Sequence, residues 1–386
     1  MGANVLCPAK TCQSRNVAMS IYERLGVRTF INARGTITTL GGSVMPADVV
    51  AAMSEASRHF IHLDDFQRKA DERICELTGA PGAFICSGAA SGMLLAGAAC
   101  LTGNDADAIA ALPETDDRPN QFVISLVDSH YYVHQGFVVS GGELVRIGTR
   151  QSVTPDDYAD AITERTAALV YFLGSQPDDE LAQIVEIAHA KDIPVIVDAA
   201  AQLPPRSNLT DLATKVGADL VVFSGGKGLF GPQSSGLILG RVDLVEAARL
   251  NSSPFSGIGR GMKVGKEEIA GLLRAVELFF EQDEDALIAE WERRCHLIGE
   301  VADDIEGVRA VQHPPYSHRF PPASPLVDLQ FSKKATTTAA EVRTALEAGD
   351  PSILASGGQD SLRIGPQTLQ EGEAELVAQR LRAILT

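Results

Sequence analysis

Basic residues are in short supply in this sequence: 33 Lys and Arg stand against 50 Asp and Glu, a formal net charge of −17. Binding to nucleic acid without regard to its sequence works by neutralising phosphates with Lys and Arg, so no nucleic-acid partner is expected. No unbroken apolar run reaches the ~18 residues that a membrane helix needs. The opening segment, MGANVLCPAKTCQSRN, has no hydrophobic signal core. No membrane partner is expected, and the cytoplasm is the expected compartment. Cysteines number only six in 386 residues, with no C-x-x-C pair among them, which points to reduced thiols and away from a disulfide framework. Internal repeats and long low-complexity segments are also missing. What remains is an ordinary globular composition, 45% hydrophobic and 22% charged, in a chain long enough for one large and one smaller domain.

From about residue 83 to 240 the chain alternates. Short apolar runs at Ala83–Cys86, Phe122–Val127, Ala168–Leu173, Pro194–Val197, Leu220–Phe223 and Gly236–Leu239 read as strands. Helical patterns lie between several of them; Leu181, Ile184, Val185 and Ala188 keep i, i+3, i+4, i+7 spacing. Strand–helix–strand order with apolar strands predicts an α/β fold, a mostly parallel sheet covered by helices on both faces. Residues 1–20 read as an irregular lead-in. A helix is expected after Pro46, and a long one after Gly265 with Ile269, Leu272, Leu273, Val276, Phe279 and Phe280 on one stripe. A turn at His313-Pro314-Pro315, a strand at Leu326–Phe331 and a terminal helix complete a smaller C-terminal part.

Four segments carry chemistry. Ser87-Gly88-Ala89-Ala90-Ser91-Gly92 follows a strand and opens a helix. Small residues there let backbone N–H groups approach a phosphate at the helix N-terminus, and the same residues would serve a tight packing turn. Val195-Ile196-Val197-Asp198 ends an apolar strand in a carboxylate, at the sheet edge where α/β folds bind ligands. Asp198 suits either a protonated ring nitrogen or a helix cap. Gln202, four residues on, is either a neighbour of that ring or a surface residue. Ser224-Gly225-Gly226-Lys227-Gly228 puts a lysine in a glycine-rich turn after a strand. Held there, Lys227 can form an imine with an aldehyde and can act as a base when displaced, and Ser224 is placed to bond a phosphate. The segment is not a P-loop, because G-x-x-x-x-G-K-[ST] does not occur. Gly257-Ile258-Gly259-Arg260 can bring a guanidinium to an anion, or can simply link to the long helix. His130 and His134 have the i, i+4 spacing of a zinc pair, but no further ligand cluster accompanies them, so no metal is expected.

The order of these motifs, together with Ile31-Asn32-Ala33-Arg34-Gly35-Thr36 and Leu362-Arg363-Ile364-Gly365, resembles fold-type-I enzymes that use pyridoxal 5′-phosphate (PLP). More narrowly it is similar to the selenocysteine-synthase-like branch, which holds seryl-tRNA selenium transferase and shorter D-glucosaminate-6-phosphate ammonia-lyase-like enzymes. The resemblance runs from about residue 22 onward. It implies an aspartate-aminotransferase-like fold with an N-terminal arm (1–45), a large PLP-binding domain (46–262), and a linker helix with a small C-terminal α+β domain (263–386). It implies Lys227 as the Schiff-base lysine and Asp198 as the partner of the pyridinium nitrogen. Ser87, Gly88, Ala89 and Ser224 would hold the phosphate, and Arg260 would reach the phosphate in a neighbouring subunit. His130 would lie against the ring face, unless it is simply a loop histidine, and Thr36 and Arg363 would contact substrate.

The tRNA-using members carry an extra N-terminal domain, and this chain enters the shared core almost at once. With the acidic balance, that favours a small amino-acid substrate over tRNA. The resemblance to the shorter members implies β-elimination from a small hydroxylated or otherwise β-substituted amino acid, giving a keto acid and ammonia, and the fold-type-I likeness implies a homodimer or an assembly of dimers. Racemisation or epimerisation, transamination, and an RNA-linked or non-catalytic protein on the same fold are the readings left open.

Overall fold

The computed structural model describes residues 19–318 and 321–386; the lead-in expected over 1–20 lies, apart from its last two residues, outside them. After a short strand β1 (Phe30–Asn32), the chain builds β2 (Gly82–Cys86), β3 (Gln121–Ser125), β4 (Glu143–Ile147), β5 (Thr166–Phe172), β6 (Val195–Asp198), β7 (Leu220–Ser224) and β8 (Gly236–Gly240). These last seven form one sheet in the order β2-β8-β7-β6-β5-β3-β4. Only β8 runs against its neighbours, and the other pairings within the sheet are parallel.

The alternation of side chains along a strand divides the strand residues between two cores. Ile85, Val123, Leu169, Val195, Val197, Val221 and Leu239 face one core. Phe84, Phe122, Ile124, Val170, Ile196, Val222 and Ile238 face the other. Burial on both faces explains why the central strands read as unbroken apolar runs. Edge strand β4, Glu-Leu-Val-Arg-Ile, is partly exposed, and its charged residues hid it from the sequence reading.

Four further strands, β9 (Val308–His313), β10 (Leu326–Phe331), β12 (Ser356–Gly357) and β13 (Ser361–Ile364), make an antiparallel sheet in the order β12-β13-β10-β9. Of these, β9, β10 and β13 belong to a third core with helices Glu284–Gly299, Ala339–Ala348 and Glu373–Leu385. The expected strand at Leu326–Phe331 is there as read. The long helix is Lys266–Glu281. Its stripe, Ile269, Leu272, Val276 and Phe279, packs into a core of the large sheet, not into the C-terminal core. Conversely, β1 pairs in parallel with β11 (Ser352–Leu354), and Ile31 and Ala33 join the C-terminal core. The N-terminal segment is thereby fastened to the part of the chain most distant from it in sequence.

Ile31 lies beside Ile353 in this ladder, and both are buried. Removing most of a buried Ile side chain costs about 2–5 kcal/mol. Ile31→Ala is expected to lower stability by that amount in denaturant unfolding of the full chain.

Candidate active site

The parallel strands all end at the same edge of the sheet, and that edge carries the site. Three chain reversals meet there: Ser87–Ala89 after β2, Asp198–Ala200 after β6, and Ser224–Lys227 after β7. Between them lies a cavity of about 320 Å³ lined by Thr36, Gly88, Ala89, Asp198, Ser224 and Lys227, with Thr38, Tyr132, Ala200 and Gln233 on its wall. A smaller recess opens beside it, and His130, Asp128 and Phe172 line it together with Asp198 and Lys227.

Each reversal is fixed by its own physics. Helix Ala89–Thr102 begins with no side-chain cap at Gly88, whose φ is +129°. A Cβ on Gly88 would meet nothing within 4 Å, but one on Gly236 would come within 2.5 Å of the Gly88 carbonyl carbon, so the turn rests directly on the start of β8. The first-turn N–H groups of this helix, next to the cavity, lack a cap, and a helix N-terminus in that state favours an anion. Ser87 does not line the cavity; its Oγ donates to Ser91 Oγ at 3.1 Å, which braces the turn. Asp198 accepts from the N–H of Ala200 at 3.0 Å, so the carboxylate also closes its own turn. Lys227 is half-buried. Its turn is pinned where Gly226 O accepts from Ser43 Oγ at 3.1 Å, and where a Cβ on Gly226 would come within 2.5 Å of Gln233 Cα.

Burial disfavours both charges. It pushes the Asp198 carboxyl up, partly offset by the Ala200 N–H and by Lys227. It pulls the Lys227 amine below the ordinary lysine value, opposed by Asp198. A lysine of lowered basicity exposes more free amine at neutral pH, the form that attacks a carbonyl. An anion cradle, an amine nucleophile and a strand-end carboxylate in one cavity match the phosphate, aldehyde and ring nitrogen of PLP. The donor set fits that group.

The other residues expected to act behave differently. Gln202 is 1% exposed, so it is not a surface residue; it donates to Leu173 O at 3.0 Å and lines neither cavity. Arg260 is exposed and outside both cavities. Arg363 lines neither, and its guanidinium already grips Asp328 through two 2.8 Å hydrogen bonds. A substrate carboxylate would have to displace Asp328. His134 lies parallel to the Phe172 ring, 5.7 Å between centroids. It flanks the Asp128 carboxylate, with His130 on the other side, an arrangement unlike a helical zinc pair. Sequence reasoning missed Asp128, Tyr132, Thr38 and Gln233. Only Asp128 had an available signal, a carboxylate two residues before a singled-out histidine.

Comparison with known proteins places this geometry. An aspartate aminotransferase from Thermus thermophilus superposes with a TM-score of 0.55 at 15% identity, over 92% of this chain and 98% of that one. A solved D-glucosaminate-6-phosphate ammonia-lyase superposes with a TM-score of 0.79 at 29% identity, over 95% and 98%. The architecture is therefore the aspartate-aminotransferase-like fold. The SelA family, described as L-seryl-tRNA selenium transferase, matches residues 30–290, and the chain belongs to it. A 5′-C-glycyluridine monooxygenase-decarboxylase from Streptomyces is 33% identical over 378 residues, covering 94% of this chain and 92% of that protein. The D-glucosaminate-6-phosphate ammonia lyase of Salmonella typhimurium is 30% identical over 378 residues, covering 95% and 98%. Among the described residues, no helix is long and apolar enough to cross a membrane.

Asp198 supports the protonated form of Lys227. Asp198→Asn is expected to lower the Lys227 pKa further, seen as a shift to lower pH in the rate at which an amine-selective reagent labels Lys227 in the full chain.

Proposed function

We propose that this protein is a PLP-dependent lyase that eliminates a β-substituent, such as a hydroxyl, from a small amino acid and yields a keto acid and ammonia. The observation that carries the proposal is the meeting of Lys227, Asp198 and the uncapped helix start at Gly88 in one cavity. The similarity to the ammonia lyase over nearly the whole of both chains supports it.

Bound there, PLP supplies an aldehyde for the lysine amine and an electron-poor ring that accepts charge from the substrate Cα. The chain's own residues do the rest. The N–H groups at the start of the helix and Ser224 Oγ hold the phosphate. Asp198 keeps a proton on the ring nitrogen by accepting its hydrogen bond. Lys227 would hold the cofactor covalently, and its free amine, whose basicity burial lowers, would be placed to take the Cα proton of a substrate. Thr36, Thr38 and Gln233 present neutral hydrogen-bonding groups to a substrate. Cytoplasmic location and assembly as a homodimer belong to the same proposal.

A second reading draws on the 33% identity to the monooxygenase-decarboxylase: the same Cα chemistry, followed by oxidation and loss of carboxylate. The two differ in their need for dioxygen.

The test is the visible spectrum of purified protein with added PLP, wild type beside Lys227→Ala, before and after borohydride. A visible band that borohydride bleaches and Lys227→Ala lacks is expected, with a fall in turnover of more than about a thousandfold. No such band in the wild type would overturn the cofactor assignment. Keto acid and ammonia released under anaerobic conditions support the lyase; products formed only with dioxygen support the second reading. An inverted Cα without ammonia would make the protein a racemase.

A further inference from the structure

His130 reaches the site from the loop after β3, and its backbone begins helix Tyr131–Val139. Asp128 prepares it. The Asp128 side chain is 2% exposed, yet both of its oxygens are engaged with His130. Oδ1 lies 2.6 Å from His130 Nδ1, and Oδ2 accepts from the His130 backbone N–H at 2.7 Å. Burial alone would raise this carboxyl, but the hydrogen bonds from the His130 ring and backbone, with the His134 ring close by, carry it well below the usual range, so it is ionised and can only accept. The proton between Asp128 and His130 therefore sits on Nδ1. That leaves Nε2, on the far side of a ring that lines the recess with Asp198 and Lys227. Among the described residues, Nε2 of His130 has no hydrogen-bond partner in this chain.

We propose that Asp128 and His130 form an acid–base pair, in which Asp128 is the positioning residue and Nε2 of His130 carries the proton that the departing β-substituent takes with it. The assignment rests on the lyase reading above. For a hydroxylated substrate the protons and electrons balance. Lys227 receives the Cα proton, and the electrons of that C–H bond end in the new Cα=Cβ bond. The Cβ–O bond breaks with its pair on oxygen, which takes the Nε2 proton and leaves as water. The unsaturated amine then hydrolyses to keto acid and ammonia without net proton exchange. Lys227 has gained one proton and His130 has lost one, so the passage of one proton between them resets the site.

Several groups face His130. Asp128 raises its pKa most, through the hydrogen bond. Asp198 across the recess raises it further, and Lys227 opposes. Tyr132 meets the ring edge-on, 5.6 Å between centroids, and His134 Nε2 lies 3.8 Å from the same Asp128. The net shift is upward. The imidazolium is present below that raised value and is lost as pH rises through it, so an acid role for Nε2 fails on the alkaline side.

Nitrogen-15 NMR of the histidine rings in the full, cofactor-free chain tests the pair directly. Above its pKa, wild-type His130 is expected to keep the proton on Nδ1. Asp128→Asn is expected to lower the His130 pKa by at least about one unit, a tenfold loss of proton affinity, while His134→Phe leaves it in place. With PLP bound, the alkaline limb of the Asp128→Asn rate profile should move to lower pH by a similar amount, with the visible band retained. A wild-type His130 protonated on Nε2 alone would overturn the pair even if no variant folds. So would an unmoved His130 titration in folded Asp128→Asn, or a normal band with an unmoved alkaline limb. Absence of the band in wild type would instead sink the lyase reading, and the NMR measurement would still decide the pair.

Discussion

A lysine ammonium and an aspartate carboxylate, both stripped of much of their water at one edge of a sheet, set the terms for everything around them. Either charge alone would be costly in that setting. Together they moderate each other without cancelling, because burial still moves the carboxyl up and the amine down. The cavity can hold such a pair because it rests on strands buried on both faces. The reversed β8 adds to this. Lying between β2 and β7, it begins at Gly236, level with Cys86 on one side and Ser224 on the other, and so holds the anion turn and the lysine turn one strand apart.

The rigid strands supply position, and the turns supply chemistry. Ser224 and Asp198 are the last residues of their strands, while Gly88, Lys227, Asp128 and His130 all lie in the few residues beyond a strand end. That distribution is what a doubly covered sheet permits, since its interior has no room for water or ligand and only its carboxyl edge is open. The Asp128–His130 pair adds a polar group beside the cavity that draws on no sheet residue at all.

How much could be read from the residues in order depended on how far apart the interacting partners lie. The apolar strands, the glycine turn around Lys227 and the strand-end Asp198 are local patterns, and they were legible. The family reading came from the same short stretches. Arg363, implied as a substrate contact, instead grips Asp328 on a neighbouring strand 35 residues away, and no spacing rule announces a cross-strand pair. Gln202 looked like a ring neighbour because it follows Asp198 closely, but its turn sends it inward to Leu173. Strand β4 was invisible because an edge strand with Glu143 and Arg146 lacks the apolar run that marks buried strands. The helix after Gly265 was found, but which core its stripe enters depends on shape that a periodic pattern does not encode.

The pairing of β1 with β11 bears on how the chain comes into being. A ribosome makes Phe30–Asn32 more than three hundred residues before Ser352–Leu354, its partner strand. Domains that form during synthesis do so from the amino-terminal side first, and the large sheet, complete by Gly240, can follow that order. β1 cannot. Its apolar Ile31, and Ala33 just after it, must wait outside any finished core until nearly the whole protein has emerged. Thr38 and Ser43, close behind β1, meet Gln233 and Gly226 of the large-sheet part instead. The short stretch from Asn32 to Thr38 thus joins a partner completed by Gly240 to one made more than a hundred residues later.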